Sequence, residues 1–479
     1  MDFIQQQLID PVSKVLYTYL LIYLLVAVGI YFTVRTRFVQ IRYFAKMLAQ
    51  LGRSRADDGG ISSFQAFCVG LASRVGTGNI AGVAIALTLG GPGAIFWMWV
   101  VALLGMATAL IEATLAQIFK VKAGDGTFRG GPAFYLQGGL GSRAGGVFFA
   151  VLLVFTFGIA FNMVQANAIS DVLKTSHAIE VDWTTAGLVV LAAPVLFGGV
   201  RRVARVAEFV LPVMALAYVL LALVIVALNI TSLPRVIEQI IGGAFGIDQL
   251  AGGFTGGATA AMLNGVKRGL FSNEAGMGSA PNVAATATVS HPVKQGLIQS
   301  LGVFVDTMIV CSATAFIILV SGVYDPARTG KIEGATLTQS AVASGLGSWT
   351  TGLMTVLVFV FAFSSVLGNY VYAEVNLFFL GAKRLEVNVF RVVVLVAIGL
   401  GAMSKLAAVW ALADVAMGLM ALVNLVAICL LGNWALAALR DFHRQAVGGG
   451  DPVFVAEEAG LPASLPGDVW VPRGEGATT

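Results

Sequence analysis

The chain has 479 residues, 58% of them hydrophobic and only 11% charged, with three cysteines and a net charge of +4. Its mean hydropathy is +0.87. Soluble domains carry about a quarter charged residues, so a water-soluble globular protein is excluded and an integral membrane protein is expected. The basic residues sort by loop rather than forming a patch, which gives no reason to expect a nucleic-acid partner.

Apolar runs near the ~20 residues that cross hydrocarbon as a helix recur along the whole sequence. They predict an all-α polytopic membrane protein with about 11 transmembrane helices and no separate soluble domain. The spans fall near 15–34, 64–88, 94–119, 147–170, 184–200, 206–229, 249–266, 296–321, 350–379, 388–402 and 406–432. A barrel of short alternating strands does not fit such continuous runs. The first span is too long for a signal-peptide core and lacks a small-residue cleavage site, so it reads as retained. After it, Phe38, Ile41, Met47, Leu48 and Leu51 fall roughly on one helical face of residues 38–51. That pattern fits an interfacial helix on an anionic leaflet or a simple connector. Cys68, Cys311 and Cys429 lie in spans and read as small packing residues, while His177, His291 and His443 lie far apart in loops. From about Gly448 the tail is rich in glycine, proline and acids, and it reads as mobile with little to pack.

Charge gives the expected orientation. Arg35, Arg37, Arg42, Lys46, Arg53 and Arg55 follow the first span, and Lys120, Lys122, Arg129 and Arg143 follow the third. Arg201, Arg202 and Arg205, then Lys267, Arg268 and Lys294, then Lys383, Arg384 and Arg391 mark the next alternate loops, and Arg440, Arg444 and Arg473 the tail. The opposite side holds only Lys14, Lys174, Arg235, Arg328, Lys331 and Lys405. The positive-inside rule then puts the N-terminus outside and the C-terminus in the cytoplasm.

Two spans are interrupted. Ser73-Arg74-Val75-Gly76-Thr77-Gly78-Asn79 breaks the second, and Gly252-Gly253-Phe254-Thr255-Gly256-Gly257 breaks the seventh. Apart from the first helix, ten spans divide into two sets of five, and the odd number inverts the second set. The divisions are 1–60, 61–230 for the first repeat, 231–434 for the second, and 435–479 for the tail. Glycine-broken helices at matching positions of inverted halves point to a midplane binding site in a secondary transporter. Nothing resembles the filter loop or charged ring of a channel. No converging nucleophile, base or metal ligands indicate an enzyme, and Gly76-Thr77-Gly78 has neither the strand nor the Gly-Lys-Ser/Thr of a phosphate loop.

Val75-Gly76-Thr77-Gly78-Asn79-Ile80-Ala81-Gly82, Gly90-Gly91-Pro92-Gly93-Ala94 with Phe96-Trp97-Met98-Trp99, and Arg129-Gly130-Gly131-Pro132-Ala133 resemble the alanine/glycine:cation symporters of bacteria and archaea. So do Gly269-Leu270-Phe271-Ser272-Asn273-Glu274-Ala275-Gly276 and Phe361-Ala362-Phe363-Ser364-Ser365. Ala72-Ser73-Arg74-Val75 with Gly368-Asn369-Tyr370 looks most like the AlsT-type branch of this sodium:alanine symporter family. The resemblance implies the five-plus-five inverted-repeat fold of the leucine transporter, with one extra helix in front. It also implies uptake of a small neutral amino acid across a prokaryotic plasma membrane by alternating access, driven by Na+ without any cofactor. Proton coupling is the alternative, with an ion channel a weaker one.

The two interruptions then acquire roles. A half-helix N-terminus attracts anions, which assigns Thr77, Gly78 and Asn79 to a substrate carboxylate. Phe254, Thr255 and Gly256 are candidates for the ammonium. Gln165 either reaches the substrate or makes an interhelical hydrogen bond. For sodium, which prefers oxygen ligands, the resemblance implies the carbonyls of Ala72, Val75 and Phe361 and the hydroxyls of Ser364 and Ser365. Many family members carry tryptophan one turn after Ser365, where this chain has Asn369. A larger, more polar pocket is expected there, which makes glutamine or asparagine a candidate beside alanine and glycine. Arg74 needs a partner or a cavity; Glu112, Glu274, Asp306 and Glu374 are the available acids. Its readings are an ion pair in a gate, or a guanidinium near the sodium position that alters coupling. The segment from Gly269 to Pro292 reads as cytoplasmic gate or loop architecture.

Overall fold

Hydrocarbon offers no partner to backbone N–H and C=O groups, so the chain crosses it as helices whose apolar sides are shared between lipid and protein. The computed structural model describes residues 5–52, 61–124, 126–246, 256–324 and 334–470. In chain order, the helices are α1 (Asp10–Arg35), α2 (Phe44–Gly52), α3 (Ser63–Arg74), α4 (Gly78–Gly90), α5 (Gly93–Ile118), α6 (Arg143–His177) and α7 (Val181–Leu196). They continue as α8 (Gly199–Leu228), α9 (Leu233–Phe245), α10 (Gly256–Asn273), α11 (Pro292–Val320) and α12 (Ala335–Leu346). The last three are α13 (Thr350–Leu380), α14 (Arg384–Met403) and α15 (Leu406–Val447).

Among the described residues, eight helices are long and apolar enough to span, and α3 with α4 forms a ninth crossing bent by 47°. Eleven were expected. The expected span 184–200 is the 16-residue α7, with Pro194 inside it. Of the expected span 249–266, the residues from Gly256 onward are described, as α10, whose end is shifted to Asn273. That shift draws Lys267 and Arg268 out of their expected loop and into a helix. Arg268 is buried against both carboxylate oxygens of Asp414, 2.6 and 2.5 Å away, and lies 4.5 Å from the Trp410 ring. Lys267 donates to the Ser13 hydroxyl at 3.3 Å and sits over the Tyr17 ring at 4.6 Å. Paired in this way, charges can enter a helix that composition alone would end.

The centre is built on α5, which packs along α1, α9, α10, α11 and α15. Its most apolar stretch is 67% buried, against 28% for α8, whose open face is left for lipid. Small residues let the backbones close up. A Cβ on Gly93 would stand 2.2 Å from the Gly243 carbonyl carbon, and one on Gly265 would stand 2.4 Å from the Ala94 oxygen. Helices α1 and α15 run in the same direction. Tyr17, early in α1, donates to the Asp414 carbonyl at 2.9 Å, and Arg35, at its end, donates to Asn433 at 3.2 Å. The crossings counted from α1 through α15 are therefore odd in number.

The tail departs from its expected character, because a few apolar anchors in a polar stretch find a groove. Phe454, Ala456 and Leu465 are buried, and the Phe454 amide donates to the Ser290 carbonyl at 2.9 Å. Lys294 pairs with Asp451 at 2.6 Å. Trp470 donates its indole N–H to the Gln117 carbonyl at 2.8 Å and offers its ring to the Lys120 ammonium, 4.8 Å away. Burial pushes Lys120 down to about 7, and the Ala287 carbonyl at 3.1 Å with the rings of Phe128 and Trp470 offsets that cost. Trp470→Ala removes one ring and one hydrogen bond, together about 1–2 kcal/mol. A lower Tm in detergent at neutral pH is the expected result, and an unchanged Tm would show that the tail adds nothing to stability.

Candidate functional site

Helix α3 starts on a capping box, in which the Ser62 hydroxyl accepts from the Gln65 amide and Gln65 accepts from Ser62. It ends at Arg74, where Val75 leaves the helical region with φ −77° and ψ 88°. Helix α4 begins at Gly78, and its first turn through Gly82 is widened to π-type spacing, a distortion frequent at functional sites. Backbone polar groups freed between the two halves must be matched by neighbours. Three side chains answer, each from a different element.

From α13, the Ser365 hydroxyl lies 2.9 Å from the Ala72 carbonyl and 3.1 Å from the Phe361 carbonyl. A hydroxyl has one proton to give, so three oxygens converge where one hydrogen bond serves them at a time. Ser364 donates to the same Phe361 carbonyl at 2.9 Å. Four residues that the family resemblance implied for sodium thus meet across the break, and Val75 adjoins them on the chain. The approach is close because position 76 has no side chain: a Cβ there would fall 2.0 Å from the Ser365 Oγ.

From α6, the Gln165 side-chain oxygen accepts from the Thr77 amide at 3.2 Å and from the Thr77 hydroxyl at 2.9 Å. It caps the positive end of α4. From α4 itself, Asn79 turns inward. Its oxygen accepts from the Gly76 amide at 2.9 Å, and its amide group donates to Asp306, 2.6 Å from Oδ1. Asp306 also accepts from Ser272 at 2.8 Å and Thr307 at 2.7 Å. The Asn79 side chain therefore braces the break against α11.

Asn369 lies in a second buried network. Its oxygen is 2.8 Å from the Ser73 hydroxyl, and its amide donates to Asn162 at 3.0 Å. Ser73 also meets Glu274 at 2.9 Å, and Glu274 accepts from Ser279 at 2.6 Å. Arg74 is only 2% exposed and makes one hydrogen bond, to the Gln299 carbonyl at 3.3 Å. Its Nε and Nη2 have no partner among the described residues, where no acid stands within salt-bridge distance of it. Gly302 makes room for it, since a Cβ there would lie 2.5 Å from Nη1. Of the four acids considered as partners, Glu112 accepts from the Gly276 amide and from Asn424, and Glu374 lies 3.9 Å from Arg391. Phe254 and Thr255 lie outside the described residues; Gly256 is the first residue of α10.

The segment read as a cytoplasmic gate reaches the centre instead, because α10 runs on to Asn273. Phe271 packs between Phe161 and Trp410, both at 4.5 Å, and a Cβ on Gly78 would touch it at 3.0 Å. Sequence reasoning weighed Asp306 and Glu274 as partners of Arg74, gave Ser272 no role beyond its place in the family motif, and did not single out Asn162. An acid inside the apolar run 296–321 was the available signal for Asp306.

A broken helix whose freed backbone meets hydroxyl, amide and carboxylate groups inside a membrane bundle defines a secondary transporter rather than an enzyme. The model of the sodium:alanine symporter family matches residues 1–456, and the chain belongs to that family. It is 48% identical over 458 residues to the probable sodium/glutamine symporter GlnT of Bacillus subtilis (strain 168), covering 95% of this chain and 94% of that one. It is 46% identical over 463 residues to the amino-acid carrier protein AlsT of the same organism, covering 97% of each. Among solved structures it resembles MhsT, crystallised with L-phenylalanine, with a TM-score of 0.53 and 14% identity over 87% of this chain and 96% of that one. That likeness establishes the leucine-transporter-type fold expected from the sequence.

Two glycines of the broken helix separate packing from function. A Cβ at Gly82 would make an ordinary 3.5 Å contact with Trp410, whereas one at Gly76 would collide with Ser365. Gly76→Ala is expected to lower amino-acid uptake by about tenfold or more, while Gly82→Ala stays within about twofold. Equal uptake by the two variants, measured at equal protein density in proteoliposomes, would contradict the close approach at Ser365.

Proposed function

We propose that the protein takes up a small neutral amino acid together with Na+ by alternating access, and that the break between α3 and α4 holds both. The observation that carries this reading is Ser365, whose hydroxyl is shared between carbonyls on either side of the helix interface. Na+ entering among the Ala72, Val75 and Phe361 carbonyls and the Ser364 and Ser365 hydroxyls would exchange hydrogen bonds for direct coordination by hard oxygen ligands. Beside it, the substrate carboxylate takes the place at Thr77 that the Gln165 oxygen fills, with the Gly78 amide next to it, releasing Gln165 to the ligand's flank. Asn79 keeps α4 aligned through Asp306. Phe254, Thr255 and Gly256 remain the proposed partners of the ammonium.

Alanine, glycine and glutamine are the proposed substrates. Glutamine is supported by the relative that bears it in its name and by the polar Ser73–Asn369–Asn162 network one turn from Ser365. Arg74 is proposed as a coupling element. Its Nε and Nη2 are buried without partners among the described residues, so a shift of α3 during opening would bring it to one of the acids Glu112, Glu274 and Asp306. The basic ends of α1 and α15 lie on one face, which supports an extracellular N-terminus and a cytoplasmic C-terminus under the positive-inside rule. The site's fully buried Asp306, hydrogen-bonded to the break through Asn79, favours a second reading in which a proton on this carboxyl is the coupled ion.

Radiolabelled uptake into proteoliposomes tests these readings together. An inward Na+ gradient is expected to drive accumulation of alanine and glycine, with glutamine accepted. Ser365→Ala is expected to weaken the Na+ dependence by about tenfold, the worth of one lost oxygen ligand. Accumulation driven by a proton gradient alone, unaffected by Ser365→Ala but abolished in Asp306→Asn, would replace sodium with protons. Flux without accumulation would indicate a channel.

A further inference from the structure

The turn after α1 builds a cavity that amino-acid transport does not use. Arg37 and Phe38 both take left-handed backbone angles, φ 55° and 56°. Left-handed backbone is costly for residues with a Cβ, and a glycine would adopt it freely. The turn is nevertheless closed by Phe38 N donating to the Thr33 carbonyl at 2.8 Å and Arg37 N to the Val34 carbonyl at 3.0 Å. The chain then folds back as the short helix Val39–Arg42, and Tyr43 meets His443 Nδ1 at 2.5 Å, joining this turn to the end of α15.

Between the two lies a cavity of about 330 Å³ lined by five arginines, Arg35, Arg37, Arg42, Arg440 and Arg444, and by no acid among the described residues. Arg444 is held by Asp441 at 2.6 Å, and Arg35 is tied to Tyr31 and Asn433. The Arg37 and Arg440 side chains have no hydrogen bond or ion pair among the described residues. The Arg42 guanidinium lies against the Tyr43 ring, 5.3 Å away. Asp441, the nearest acid on α15, also bonds His291 and Gln445 and so is fully engaged. Arg444 excepted, these like charges crowd together without an ion pair among the described residues.

Directly beside the cavity the surface turns apolar. Ile30 and Val34 on α1, with Phe38 and Ile41 on the turn, are 49%, 58%, 52% and 74% exposed. A cationic pocket next to an exposed apolar strip matches an amphiphile with an anionic head. We propose that this cavity binds the phosphate-bearing headgroup of an anionic membrane phospholipid, whose acyl chains lie along Ile30 and Val34. Arginine suits this role because its planar fork matches phosphate oxygens, and basic pockets between spanning helices are a recognised form of lipid recognition. The bilayer location of the chain is enough to support the site, which is separate from the transport reading. Its failure would leave that reading untouched.

Native mass spectrometry of the full-length protein, exchanged from detergent into defined lipids, tests the proposal. Wild type is expected to retain phosphatidylglycerol in preference to phosphatidylcholine, and phosphatidylglycerol is expected to raise its Tm. The triple variant Arg37→Gln/Arg42→Gln/Arg440→Gln is expected to bind phosphatidylglycerol about tenfold more weakly or worse. A control, Lys383→Gln/Arg384→Gln, removes two positive charges at the start of α14 and is expected to bind as wild type. Equal retention of both lipids by wild type overturns the proposal without any variant. It is also overturned if the triple variant matches wild type, if the control loses as much, or if inorganic phosphate at millimolar concentration stabilises as well as the lipid.

Discussion

A helix that breaks inside hydrocarbon leaves backbone groups that lipid cannot satisfy, and the centre of this molecule is arranged around that single deficit. Ser365, Gln165 and Asn79 supply what the break between Arg74 and Gly78 removes, and they come from α13, α6 and α4. Each arrangement is also one that a ligand can take over. A hydroxyl shared by two carbonyls accommodates a cation, and an amide oxygen resting on a helix N-terminus stands where a carboxylate would rest. The polar groups that hold the break together are therefore the same kind that a transported ion and zwitterion require.

Close approach depends on absent side chains. Gly76 admits Ser365, Gly368 brings α13 within reach of the Ser73 backbone, and Gly78 seats α4 on Phe271 and Ser272. Behind this layer, buried carboxylates make the arrangement rigid. Asp306 collects Asn79, Ser272 and Thr307, and Glu274 collects Ser73 and Ser279. Satisfied networks of this kind specify one geometry, since a lost member leaves a buried group unpaired. Arg74 is one exception, with its Nε and Nη2 unmatched among the described residues. Such stored polarity is consistent with a residue that exchanges partners between states.

The sequence made the break and its Ser364–Ser365 partner visible, because glycines and hydroxyls stand out in long apolar runs. Gln165 was identified only through the fold, since no local pattern reveals that α6 passes the N-terminus of α4. The extent of α10 was hidden because Arg268 looks like a loop charge until Asp414, 146 residues away, is brought beside it. The tail was misjudged because average composition conceals four anchors, Phe454, Ala456, Leu465 and Trp470, spaced through polar residues. Asn79 was assigned to the substrate from its backbone position at a helix start; the turn of its side chain toward Asp306 was not legible, because tertiary packing alone sets that direction.

If the break holds ion and amino acid side by side, their binding energies must be linked, and linkage is reciprocal. Equilibrium binding of labelled alanine to the purified protein, titrated with Na+ at constant ionic strength, measures this directly. Na+ should tighten alanine binding, and alanine should tighten Na+ binding by the same factor, with both effects lost in Ser365→Ala. Alanine affinity that is independent of Na+ in the wild-type protein would contradict a shared site at the break.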